Sequence, residues 1–86
     1  MSGLPLVENL TLVGILYDDA ERLALCEDRL NGNQPFSFRE LDPVDKGKVL
    51  KIYQDKVVFL ITEFGISRSY TLEIVRPTKE KEAGNK

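Results

Sequence analysis

Five consecutive apolar residues, Val57-Val58-Phe59-Leu60-Ile61, follow directly on the polar reversal Gln54-Asp55-Lys56. Alternate residues of a strand point to opposite faces, so a run that is apolar at every position suits a central strand packed on two sides. The preceding stretch KVLKIY (48–53) is also rich in apolar residues. The tight Gln54-Asp55 turn between the two predicts a β-hairpin at the centre of the core. The rest of the chain has to be built around that hairpin.

The flanking sequence continues in the same idiom. LTLVGILY (10–17) is apolar and β-branched, with Gly14 near its middle, where a glycine often marks a bulge or a close backbone approach. A polar turn over 17–21 leads to a second strand over 23–27. Asp18 or Asp19 could instead cap a helix over 19–29, but the spacing of Leu23, Leu25 and Leu30 suits the strand better. Asn31-Gly32-Asn33 is a strong turn signal, because both residue types tolerate positive φ. FSFREL (36–41) then alternates with period two, 42–47 breaks the pattern, and a turn containing Gly65 is expected over 63–67. SYTLEIV (69–75) closes the series with Tyr70, Leu72 and Ile74 on one face. Residues 1–9 read as a flexible lead-in, and 76–86, almost without apolar content, as a disordered tail or linker. Six short strands with turn signals between them predict an all-β fold, a small β-sandwich of two three-stranded antiparallel sheets over 10–75.

Composition narrows the chemistry. With 86 residues there is room for one core. A net charge of −2 makes no case for nucleic acid or an anionic membrane. Cys26 is the only cysteine and histidine is absent, which removes an internal disulfide, the usual thiolate metal sites and the commonest general base. The apolar neighbours of Cys26 predict a small buried residue. No run approaches the roughly 20 apolar residues of a membrane-spanning helix. Nor does Met1-Ser2-Gly3-Leu4-Pro5 have the basic start and apolar core of a signal peptide. Any anchor is expected outside this chain.

The acids at Asp18, Asp19 and Glu21, and at Glu40, Asp42 and Asp45, lack the alternating register of a calcium loop. Ser67-Arg68-Ser69 has no glycine-rich run leading into a helix, as a phosphate cradle would. Tyr53, Phe36, Phe38 and Phe59 would make a stacking platform for single-stranded nucleic acid on an OB- or SH3-like barrel only with basic residues interleaved; Arg39, Lys48 and Lys51 have acids close by. No cofactor, metal or catalytic residue is expected. What remains is the backbone of an unpaired sheet edge, which can accept a partner. The sparsely charged stretch 10–16 is the best candidate for that edge. Leu12, Gly14 and Leu16 should share one side and Val13 and Ile15 the other. With Leu12 and Leu16 in the core, Val13 and Ile15 are left for contact, and Arg22 could pair with a partner carboxylate at the rim.

The order of these elements resembles the periplasmic homology-region domain of the type II secretion inner-membrane protein C family, and the related PilP lipoproteins of type IV pilus assembly. The family's first strand, Leu-x-Gly-Val-hydrophobic, is met by Leu12-Val13-Gly14-Ile15-Leu16, and the turn and second strand by Arg22-Leu23-Ala24-Leu25. The hairpin motif Glu-Ile-x-x-Asp-Arg-Val is met by Lys51-Ile52-Tyr53-Gln54-Asp55-Lys56-Val57, and the last strand by Tyr70-Thr71-Leu72-Glu73-Ile74. Phe38-Arg39-Glu40 stands where the family usually has Val-Gly-Asp. The resemblance covers residues 10–74. It implies a two-sheet domain without enzymatic activity that docks on the N-terminal periplasmic domain of an outer-membrane secretin. Such a domain links an inner-membrane platform to the outer-membrane channel and works in the periplasm. Val13, Gly14, Ile15 and Arg22 are the expected partner contacts. Platform proteins would be reached through segments outside this chain.

Overall fold

The computed structural model describes residues 3–74. Strands β1 (Leu10–Tyr17), β2 (Arg22–Asp28) and β3 (Gln34–Phe38) form one antiparallel sheet in that order. Strands β4 (Pro43–Val44), β5 (Gly47–Ile52), β6 (Lys56–Glu63) and β7 (Ile66–Glu73) form a second. The all-β, two-sheet expectation is met, with a fourth strand in the second sheet. That strand, β4, has only two residues and lies among turn formers, which is why period-two patterning passes over it.

Gly47 makes the β4–β5 turn workable. A Cβ there would run into the carbonyl of Leu60 on β6, so only a residue without a side chain lets β5 lie so close. On β6, Val57, Phe59 and Ile61 point into the core, and Val58 and Leu60 are half-buried on the outer face. The expectation of a strand packed on two sides is corrected here. β6 is interior to its sheet, but only one face meets the other sheet. Its outer apolar side chains stand beside Lys48 on β5 and Ser69 and Thr71 on β7.

Leu10, Leu12, Ala24, Cys26 and Phe38 face Val49, Ile52, Val57, Phe59 and Ile61 across the sandwich. The Phe59 ring meets Phe38 edge-on, with centroids 6.1 Å apart. Cys26 is buried as expected, and burial pushes its thiol up to about 12. Asp18 accepts the N–H groups of Ala20 (2.8 Å) and Glu21 (2.7 Å), closing the turn that delivers the chain into strand β2. Gly32 and Asn33 take the positive φ values, 68° and 59°, that their types predicted.

The lead-in is not loose over 5–9. Val7–Asn9 is a 3-10 turn, Pro5 and Val7 are buried, and the Pro5 carbonyl accepts the Asp45 N–H at 3.0 Å. One well-placed valine is enough to recruit this segment to the core. The tail expected over 76–86 lies outside the described residues. Among the described residues the two sheets touch edge to edge at one parallel bridge, Leu12 to Ile74.

Candidate functional site

Strand β1 is an edge strand, as its sequence suggested, but its backbone is not regular. Leu12 pairs with Cys26 and Gly14 with Leu25, so Val13 is an inserted residue, a β-bulge. The bulge shifts the alternation by one. Leu12 faces the core before it, and Ile15, opposite Ala24, packs against the core after it. Leu16 turns outward and is 47% exposed. The expected face assignment is therefore corrected for two residues: Ile15 belongs to the core side and Leu16 to the solvent side. Val13, 45% exposed, stands outside as expected.

Val13 and Gly14 lie opposite Leu25, which is 38% exposed, and Leu16 lies opposite Leu23. A Cβ placed on Gly14 would sit 3.7 Å from Leu25 Cδ1, so the leucine drapes over the glycine. Val13, Leu16, Leu23 and Leu25 form an apolar patch on the outer face of the first sheet, flanked by Thr11, Glu27 and Ser37. Leu16 and Leu25 were missed by sequence reasoning. The glycine signalled a bulge, and carrying its one-residue phase shift through the strand would have found Leu16.

Arg22 is not a free rim charge. Its guanidinium lies 3.5 Å from Glu40 and stacks over the Tyr17 ring, 4.8 Å from the centroid. Glu40 in turn accepts the Ile52 main-chain N–H at 3.0 Å. That hydrogen bond, with Lys51 and Arg22 nearby, holds the Glu40 carboxyl below its ordinary range. Arg22 thus ties the two sheets at one end of the sandwich.

Two further acids serve the backbone. Asp28 caps the 3-10 turn Arg29–Asn31 by accepting Leu30 N–H at 3.1 Å, and Asp42 accepts Arg39 N–H at 2.8 Å. An open depression among Asp19, Glu21, Arg22, Arg39 and Glu40 has both its arginines paired, Arg39 with Glu21 at 2.8 Å and Arg22 with Glu40 at 3.5 Å. Among the four aromatic residues considered for stacking, Phe59 and Phe38 are core and Phe36 stacks on Phe38 at 6.0 Å. Tyr53 alone of the four is exposed, with Lys56 over its ring. No continuous aromatic platform faces solvent from these positions.

No protein-family model matches the chain, and no curated protein matches it.

Proposed function

We propose that this chain is a protein-interaction domain without catalytic activity of its own, docking through the outer face of its first sheet. The observation that carries the reading is the apolar patch of Val13, Leu16 and Leu25 beside the β1 edge. Such a patch, rimmed by polar groups, is the usual mark of an interaction surface. The bulge and the Ile74 bridge interrupt main-chain pairing along β1, which shifts the burden of contact from strand addition to side chains.

The sequence resemblance supplies the partner class: the N-terminal periplasmic domain of an outer-membrane secretin. In that role the domain works in the periplasm and joins an inner-membrane platform to the outer-membrane channel of a type II secretion or type IV pilus system.

The test is a pull-down of the purified domain against the periplasmic fragment of the secretin from the same genome, across a salt series. Apolar docking persists as salt rises. Binding that collapses steeply with salt, or that is matched by a single-stranded oligonucleotide, would instead favour a nucleic-acid-binding barrel. Absence of secretin binding overturns the reading.

A further inference from the structure

Four strands lie at sheet edges, and three of them are blunted. β1 carries the Val13 bulge and the Ile74 bridge. β3 carries Pro35, which offers no N–H. β4 has two residues, begins with Pro43, and is followed by Asp45, whose N–H is taken by Pro5. These are the devices by which sheet edges avoid unwanted pairing.

Strand β7 has none of them from Ile66 to Leu72; the Leu12 bridge meets this side only beyond the strand's end, at Ile74. The strand pairs with β6 through eight successive residues, Ile66 to Glu73, without a register shift, and contains no proline. The hairpin turns on two residues, Phe64 (φ 52°) and Gly65 (φ 78°), closed by Glu63 opposite Ile66. Hydrogen bonding in an antiparallel pair alternates from that closing pair, so Ile66, Arg68, Tyr70 and Leu72 turn their main-chain groups toward β6. The Ile74 N–H, bonded to Asp55 at 3.3 Å, follows the same alternation. Ser67, Ser69 and Thr71 therefore present theirs to the open side, where no strand among the described residues pairs.

That edge is also self-complementary. A two-fold axis at Ser69 sets Ser69 against its own copy, Ser67 against Thr71, Arg68 against Tyr70 and Ile66 against Leu72. The open-side groups then form the hydrogen-bonded pairs, as antiparallel geometry requires. Each side-chain pair is of a stabilising type: hydroxyl with hydroxyl, cation with ring, aliphatic with aliphatic. An exposure otherwise without reason is thereby explained: Ile66 is 71% exposed and gains Leu72 of the other copy.

From these features we infer that the chain forms a symmetric homodimer by antiparallel β7–β7 pairing about Ser69, joining two four-stranded sheets into one. The pairing residues, Ile66 to Leu72, do not include Val13, Leu16 or Leu25, so the dimer carries two copies of that patch.

Sedimentation of the purified chain up to about 1 mM tests this, a range that covers weak dimers. The apparent mass rises toward that of a dimer with concentration. Ser69→Pro removes both central donors from a position whose N–H faces away from β6, and yields a monomer. Should that variant fail to fold, Ser69→Lys opposes two like charges at the axis and yields a monomer with the fold intact. Ser69→Cys cross-links with itself under oxidised glutathione, because facing hydrogen-bonded residues have Cα atoms about 5.5 Å apart, within disulfide reach. The parent chain, with Cys26 buried, does not cross-link. A chain that stays monomeric throughout, or a dimer indifferent to Ser69→Lys, overturns the inference.

Discussion

Glu40 accepts the main-chain N–H of Ile52 at 3.0 Å, joining the loop after the first sheet to the end of β5. Ile52 is buried, so few groups other than that carboxylate can satisfy its amide. Arg22 reaches the same carboxylate oxygen at 3.5 Å. The three groups form one cross-sheet tie at the β1–β2 turn end of the sandwich.

Removing the acceptor should be costly. Glu40→Ala leaves a buried N–H unsatisfied, which costs about 1–3 kcal/mol. Chemical denaturation at neutral pH measures it, and an unchanged midpoint would mean that water replaces the carboxylate. The tie also predicts an acid limb. Glu40 and Glu63 both have pKa values lowered from an ordinary 4.5, Glu40 chiefly by the Ile52 bond and Glu63 chiefly by Lys46. A depressed carboxyl stabilises the fold fully above its ordinary value, and that contribution fades as pH falls through the folded-state value. Thermal midpoints should be level from neutral pH to about 5 and fall below it. In Glu40→Ala the fall should be shallower.

The bulge predicts opposite outcomes at two neighbouring positions. Val13→Arg places charge on an exposed outer position, so the melting curve should move within about 0.5 kcal/mol while secretin binding is lost. Ile15→Arg drives a charge against the core and should prevent cooperative folding. Circular dichroism of the two variants, beside the pull-down, separates them. Equal destabilisation would place Val13 in the core and refute the phase shift.

Phe59 is fully buried and braces Phe38 across the sandwich. Phe59→Ala should cost about 3–5 kcal/mol, from lost burial and the cavity left behind. A domain of this size has few kcal/mol to lose. Such a variant melting near the parent midpoint would show that the two sheets do not pack through this ring.

Phe64 offers the reverse effect. Asparagine suits the left-handed turn position that Phe64 now holds, so Phe64→Asn should stabilise the dilute monomer by about 1 kcal/mol. For a chain this small that raises the midpoint by about 4–8 °C. A lower midpoint at high dilution would mean that the ring contributes to the monomer's own packing.

The residues show why the sequence was legible where it was. Val57-Val58-Phe59-Leu60-Ile61 has no polar interruption, and it marked the core hairpin. Asn31-Gly32-Asn33 marked its turn because those residue types go where positive φ is needed. The turn containing Gly65 was legible but drawn too wide, over 63–67, because phenylalanine at its tip is not a turn residue, and β7 begins three residues earlier, at Ile66, than the alternating pattern suggested. Pro43–Val44 carries too few residues to show any period. The docking face was half-read for a different reason: Gly14 flagged an irregularity, but a bulge's effect lies downstream of it, in which way Ile15 and Leu16 turn. The pairing of Arg22 with Glu40 was not legible because it depends on two sheets meeting, which no local pattern records.

Each sheet is a meander of strands consecutive in the chain, and the Leu12–Ile74 bridge joins points near the two ends of the folded unit. Closing short hairpins is entropically cheap and fast, whereas bringing distant ends together is neither. The two meanders should therefore gain protection first, as separate local units, with the bridge acting as the latch that engages after they dock. In pulse-labelled hydrogen exchange during refolding, amides along β6–β7 should be shielded before those at Leu12. Shielding of Leu12 in the earliest phase would make the bridge part of the nucleus instead.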